Sequence, residues 1–180
     1  SSQIQTRAFI LGILIYIQLI LGALVRHTSS GLAIPDFPTM GGGFFPIFND
    51  TMLNNINNYL FHIDKDLVSL FQVAIHFFHR VGALIISISF SIFFFKYYNK
   101  FKQQKNIRFS MWYILFAILF QIILGAATVI SEKHEIITSL HVLNGAFLLG
   151  LTVLLILRIS PANFNQWPIL NRFGILNIRK

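Results

Sequence analysis

Three histidines and an arginine are the residues of this chain best placed to do chemistry. Ala74-Ile75-His76-Phe77-Phe78-His79-Arg80-Val81-Gly82-Ala83 sets two imidazoles and a guanidinium at the head of an apolar run from Leu84 to Phe95. A third imidazole, His141, lies within Ser139-Leu140-His141-Val142-Leu143-Asn144-Gly145-Ala146. Ionisable groups inside hydrocarbon are costly and mark ligation, proton relay or solute passage, each with a partner. Neutral imidazole is the commonest protein ligand for metals. No thiolate competes with it, because the chain has no cysteine, which also excludes disulfides and cysteine nucleophiles.

The elements that must position these groups are membrane helices. Of 180 residues, 55% are hydrophobic and 11% charged, with 20 Phe, whereas a soluble domain carries about a quarter charged residues. Four segments can each cross roughly 30 Å of hydrocarbon at about 1.5 Å per residue: approximately 8–25, 70–95, 111–130 and 136–157, in one membrane domain over 1–180. The formal charge of +8 then reports topology rather than nucleic-acid binding. Arg7; Lys96, Lys100, Lys102, Lys105 and Arg108; and Arg158, Arg172, Arg179 and Lys180 fall on one side with no acidic residue. The other side holds Arg26, Lys65 and Lys133 with all six acids, Asp36, Asp50, Asp64, Asp66, Glu132 and Glu135. The positive-inside rule puts both ends in the cytoplasm of what is expected to be a bacterial inner (plasma) membrane. The Ser-Ser start has no charged leader or cleavage site, so no signal peptide is read, and a fragment boundary is expected there.

The first outer connection, 26–69, is too long for a simple turn. Gly31-Leu32-Ala33-Ile34-Pro35-Asp36-Phe37-Pro38-Thr39-Met40-Gly41-Gly42-Gly43-Phe44-Phe45-Pro46 breaks regular structure yet is apolar, which suggests a loop lying on the membrane or over a pocket. Its later part, 49–58, is asparagine-rich and reads as a surface insertion. Asn49-Asp50-Thr51 fits the glycosylation pattern, a match that short motifs often make by chance.

An internal repeat relates the spans. Gln18-Leu19-Ile20-Leu21-Gly22-Ala23 recurs as Gln121-Ile122-Ile123-Leu124-Gly125-Ala126, and His79-Arg80-Val81-Gly82-Ala83 is echoed by His141-Val142-Leu143-Asn144-Gly145-Ala146. Spans one and three run the same way, so the repeat is parallel, with a pseudo-two-fold axis along the membrane normal. That symmetry faces His79 toward His141, and Gly22, Gly82, Gly125 and Gly145 allow close helix approach. His79 is as far from Phe95 as His141 is from Leu157, about 16 residues or ~24 Å. Two imidazoles at equal depth can ligate one heme iron from opposite faces in the core of a bundle. Arg80 and Arg26 lie near that depth as cations for the propionates.

Taken singly, each histidine is explained as well by a hydrogen bond to a neighbouring helix; matched depth and repeat position favour the pair. His76, one turn from His79, is open between alternative ligand, propionate partner, proton relay and interface residue. His27 either contacts a propionate or is solvated. His62 and His134 read as solvated loop residues, the many Phe as lipid-facing bulk, and Trp112 and Trp167 as interfacial anchors.

Gly22-Ala23-Leu24-Val25-Arg26-His27-Thr28-Ser29-Ser30-Gly31-Leu32-Ala33 with Pro35-Asp36-Phe37-Pro38 resembles the first outer loop of the heme A synthase family. Ile75 to Ala83, then Leu124-Gly125-Ala126-Ala127-Thr128-Val129 and His141, fit the same family, so the resemblance runs from about Phe9 to Ile159. It implies an oxidoreductase of heme A biosynthesis and cytochrome oxidase assembly that oxidises a methyl group of heme O to a formyl group. Family members have eight spans in two homologous halves, each with a pair of heme-ligating histidines. This chain is similar to the C-terminal half, which holds heme b for electron transfer. His79 and His141 then become the axial ligands, with His76, Arg80, Arg26 and His27 as pocket residues; no catalytic residue is assigned. The other half carries a glutamate three residues before its first ligand, where this chain has His76. Many relatives have a cysteine pair where Ile34 and Met40 stand here. The resemblance implies membrane lipid, heme O, a second four-helix half or oligomer, and an unidentified electron partner. The rival readings are a b-type cytochrome that makes no new heme and a small transporter using intramembrane His and Arg.

Overall fold

A computed structural model of the chain describes residues 2–161 and Trp167; the sequence positions Arg172, Arg179 and Lys180, read above as part of the basic side, lie outside the described residues. The described residues form five helices, α1 (Ser2–His27), α2 (Asp50–His62), α3 (Leu70–Tyr97), α4 (Lys105–Ile130) and α5 (Glu135–Ile159), with single 3-10 turns at Ser30–Leu32 and Tyr98–Phe101. No strand occurs among the described residues. Among the described residues, four helices are long and apolar enough to cross a membrane: Gln3–His27, Leu70–Phe101, Lys105–Ile130 and Glu135–Ile159. In hydrocarbon every main-chain polar group must be satisfied within the segment, so such sequences have helix as their available form. The hydroxyls in these helices follow the same logic: Ser87, Ser91, Ser110, Thr128 and Thr152 each donate to the carbonyl four residues back.

The helices pair as α1 with α3 and α4 with α5, and α1 also lies along α5; α3 meets α4 much less. Near the ends that carry the termini, Gln5 Nε2 donates to Ser160 Oγ at 2.6 Å, tying α1 to α5. Arg158 Nη1 donates to Asn106 O and Ser110 Oγ, tying α5 to α4. The main apolar cluster fills this end of the bundle, with Phe90, Phe93, Met111, Ile114 and Leu155 nearly inaccessible. A second cluster sits at the opposite end, where Leu32, Ala33 and Ile34 meet Met52, Ile56, Leu60, Val68 and Val73. Between the two lies a layer whose inward side chains are His79, His141, Gln18, Gln121 and Asn144.

The asparagine-rich stretch, read as a surface insertion, is helical. It forms α2, with Asn49 Oδ1 accepting from Met52 N at 2.8 Å as N-cap. Met52, Ile56 and Leu60 recur every four residues and bury one helix face. Asn57 then clamps the returning chain, accepting from Val68 N at 2.8 Å and donating to Val68 O at 3.0 Å. α3 opens on a capping box between Ser69 and Gln72, and Gln72 Nε2 also donates to Thr28 O at 2.7 Å. At the surface, an ion pair between Lys65 and Glu132 at 3.3 Å bridges the two connections at this end; pairs so exposed contribute little.

Candidate heme-ligating site

The rings of His79 on α3 and His141 on α5 face one another with centroids 6.3 Å apart and planes at 71°. The neighbours of the two rings repeat as the sequences do. Gln18 of α1 bridges His79 with its amide nitrogen, to Nδ1 at 3.0 Å and to the His79 carbonyl at 2.8 Å. Gln121 of α4 does the same for His141, to Nε2 at 3.4 Å and to the His141 carbonyl at 3.0 Å. One turn further along each of those helices stands a glycine against the ring. A Cβ on Gly22 would lie 3.2 Å from His79 Cε1, and one on Gly125 would lie 3.2 Å from His141 Cε1. The glycines on the histidine helices serve the glutamines in turn, since Gly82 faces Gln18 and Gly145 faces Gln121.

A Cβ on Gly82 would collide with Gln18 Oε1. A move of the oxygen that relieves this collision also disturbs the amide nitrogen, which contacts His79 twice. Gly82→Ala is expected to destabilise the bundle by about 1–3 kcal/mol, read as a lower melting temperature of the purified protein in detergent. An unchanged melt would show that the α1–α3 contact has slack.

Each imidazole keeps one nitrogen without a protein partner. Nε2 of His79 has no hydrogen bond among the described residues, and the buried Nδ1 of His141 has none either. Two imidazoles bound to one metal from opposite sides would have centroids roughly 6.3 Å apart, from metal–nitrogen bonds of about 2.0–2.1 Å plus ~1.1 Å from nitrogen to ring centre. The donor set also constrains the metal. Among the described residues, no group of three or more His, Asp or Glu could hold an ion. A metal here would need its remaining positions filled by a ligand it brings along, as porphyrin does. On spacing, open nitrogens and glycine relief, the residues present fit such a group. Two surface hollows lie elsewhere: one of about 670 Å³ beside Ser87, Ser91 and Lys96, and one of about 560 Å³ between Asp36 and α2. The candidate site is the interhelical layer between His79 and His141.

His76 and Arg80 belong to a different constellation. His76 is 4% exposed; its Nδ1 lies 3.2 Å from Ile34 N, and its Nε2 lies 3.2 Å from Arg80 Nε. A neutral imidazole has one accepting nitrogen, so only one of these contacts is a hydrogen bond at a time. Arg80 Nε and Ile34 N thus compete for a single imidazole lone pair. The Arg80 guanidinium continues into the first connection. Nη1 donates to Asp36 O at 2.9 Å and Thr39 O at 3.1 Å, and Nη2 donates to Ile34 O at 2.8 Å. The Phe37 ring lies 5.8 Å from its Cζ. The loop closes on itself through Asp36, whose carboxylate accepts from Gly41 N at 2.8 Å and Gly42 N at 2.9 Å. Both glycines have positive φ, 73° and 87°, which lets their amides converge on one carboxylate. Burial pushes the Asp36 carboxyl upward, but the Gly42 and Gly41 amides and the Thr39 hydroxyl outweigh it and hold it below 3.8.

The structure thus brings His79 and His141 together and puts His76 and Arg80 against the loop. Arg26 and His27 are exposed in the last turn of α1, where basic groups suit a helix C-terminus. His62 ends α2 and His134 precedes α5, both exposed. Trp112 donates to Tyr98 Oη at 3.0 Å, and Arg108 also donates to that oxygen; Trp167 donates to Pro161 O at 2.9 Å. The residues that sequence reasoning left without a role are Gln18, Gln121 and Asn144. Gln18 and Gln121 already stood in the repeated hexapeptides, which were the available signal.

Comparison with known proteins gives a family for the chain as a whole. The heme A synthase of Lysinibacillus sphaericus is 29% identical over 152 residues, covering 84% of this chain and 43% of that protein. Those of Staphylococcus carnosus and Pelagibacter ubique are each 32% identical, over 146 and 148 residues, covering 81% and 82% of this chain and 40% of either protein. The chain therefore spans about two-fifths of the length of these curated relatives. No solved structure matches it significantly. The family described as cytochrome oxidase assembly protein, COX15-CtaA, matches residues 1–153, and with that match spanning most of its length this four-span membrane chain belongs to the COX15-CtaA family.

Proposed function

We propose that this chain is a four-helix heme-binding unit of a heme A synthase, serving heme A biosynthesis at the inner membrane of a bacterium, with both termini cytoplasmic. Its His79 and His141 ligate the iron of heme b, and a second four-helix half or another copy supplies the place where a heme O methyl group is oxidised to formyl. The observation that carries this reading is the facing of two imidazoles at 6.3 Å, with no third protein ligand grouped with them among the described residues. When bound, heme b supplies reversible one-electron transfer. The chain's own residues do the rest. His79 and His141 fix the depth of the group in the bundle, and the apolar cluster beneath them excludes water from one side. Arg26 and His27, exposed at the neighbouring end of α1, are available to the carboxylates of a porphyrin. His76 and Arg80 hold the first connection over that end of the bundle. Methyl-to-formyl oxidation releases electrons, so an acceptor is a required partner of the whole synthase.

A b-type cytochrome without synthase activity would use the same ligands, and a transporter would need neither. Absorbance separates these classes. Purified protein is expected to carry, or to gain on titration with hemin, a Soret band and the spectrum of low-spin six-coordinate heme at one heme per chain. Absence of any band sinks both heme readings. Coexpression with a heme O source and a second half, followed by extraction of heme A, distinguishes synthase from cytochrome.

A further inference from the structure

We propose that Gln18 and Gln121 are positioning residues for His79 and His141, setting ring orientation and the nitrogen each ring offers, and that Gln18 alone is free to turn its amide. The inference rests on the heme-ligating reading of the two histidines.

Each glutamine uses both amide protons on one histidine, one on a ring nitrogen and one on that residue's own carbonyl. Two bonds from one amide to the ring and the main chain of the same residue fix the torsions between them. The glycine opposite each amide, Gly82 or Gly145, is what lets it come so close. An amide N–H pointing at a ring nitrogen requires that nitrogen to accept, so the ring's proton sits on the far nitrogen, Nε2 of His79 or Nδ1 of His141. Ligation through the far nitrogen displaces that proton. A neutral imidazole then carries its hydrogen on the nitrogen facing glutamine, and two donors would oppose each other unless the amide turns and offers oxygen.

Here the two halves of the repeat differ. Gln18 Oε1 is buried with no partner among the described residues, so the bond from Nε2 to the His79 carbonyl is the contact a turn must give up. Gln121 Oε1 accepts from Asn144 Nδ2 at 2.7 Å, and the same Asn144 nitrogen donates to Ala117 O at 3.0 Å. Asn144 has no counterpart in the first half, where Gly82 follows His79 by three residues and not four. His79 can therefore gain an acceptor for its outer N–H on ligation, which raises its basicity as a ligand. His141 keeps a donor facing it.

The test uses the full-length chain in detergent, hemin as probe, and the variants Gln18→Leu, Gln18→Glu, Gln121→Leu and Asn144→Ala. NMR of isotope-labelled imidazole nitrogens on heme-free protein reads each contact directly. Gln18→Leu is expected to shift His79 Nδ1 and leave His141 unmoved, and Gln121→Leu the reverse. On hemin-loaded protein, Gln18→Glu is expected to lower the midpoint potential and Gln18→Leu to raise it, each with a changed low-spin resonance signal. Asn144→Ala, by freeing Gln121, is expected to lower the potential as Gln18→Glu does. Imidazole shifts that stay unchanged in both leucine variants overturn the positioning role, even where hemin binds fully. Hemin that fails to bind wild-type protein while the shifts occur overturns the heme reading and leaves the positioning of the two rings established. A Gln121→Glu variant, similar in size, replaces Gln121→Leu should the latter fail to fold.

Discussion

Replacing either His79 or His141 by alanine is expected to abolish the low-spin six-coordinate heme spectrum. The loss in hemin affinity should exceed the roughly 10–100-fold that removal of an outer-shell partner costs. The reason lies in the donor set. No other His, Asp or Glu stands with the pair to form a metal-binding group among the described residues, and His76 is directed to Ile34 and Arg80, away from the layer between the rings. Alanine at either position thus leaves one imidazole on the metal, and the expected spectrum is five-coordinate high-spin at reduced occupancy. His79→Ala and His141→Ala should both lose that spectrum, since each removes one ring of the facing pair. The check is hemin titration by absorbance, with circular dichroism to establish that the helices persist. If both variants retain wild-type occupancy and a low-spin spectrum, the ligand assignment fails. If only His76→Ala abolishes it, the ligand on α3 is His76.

Arg80→Ala is expected to release the first connection from the bundle. The guanidinium satisfies three carbonyls, those of Ile34, Asp36 and Thr39, and contacts His76 through Nε. Stranding partly buried acceptors costs about 1–3 kcal/mol each, so with three of them the loop should lose on the order of 3–9 kcal/mol. At about 1.4 kcal/mol per tenfold, amide exchange at Gly41 and Gly42 should quicken a hundredfold or more, and protease should cut between Asp36 and Phe48. Arg80→Lys should rescue little of this, because a single ammonium cannot reproduce a planar fork aimed at several carbonyls. Unchanged loop exchange together with weakened hemin binding would instead return Arg80 to the part of a propionate cation.

How far the sequence discloses this arrangement varies by element. The spans follow from apolar length, and the facing of His79 and His141 follows from equal distances to Lys96 and Arg158 and from the repeated hexapeptides. Those signals are long, periodic and set by the membrane itself. Helix α2 was obscured by composition: Asn54, Asn55, Asn57 and Asn58 read as surface, while the spacing of Met52, Ile56 and Leu60, with Asn49 ready to cap, carried the helical pattern beneath. The role of Arg80 was hidden for a different reason. Its partners are main-chain carbonyls, which every residue possesses and no residue type announces. Gln18 and Gln121 were visible as repeated letters, but the contact of each amide with the ring and carbonyl of one histidine is a matter of rotamer and distance that only packing decides. The departure at Asn144 shows the same limit, since one added residue between histidine and glycine gives the second half a bond the first half lacks.

The order in which the chain is made gives the Gln18–His79 contact another consequence. As α1 and α3 leave the ribosome and enter the membrane, His79 has no opposite ring, because α5 and His141 do not yet exist. A bare imidazole in hydrocarbon invites lipid defects or stray partners. Gln18 arrives first and meets that ring from its own hairpin. The second hairpin repeats the provision with Gln121 and His141. Each half thus holds its own histidine through its own glutamine, and the two halves meet along α1 and α5.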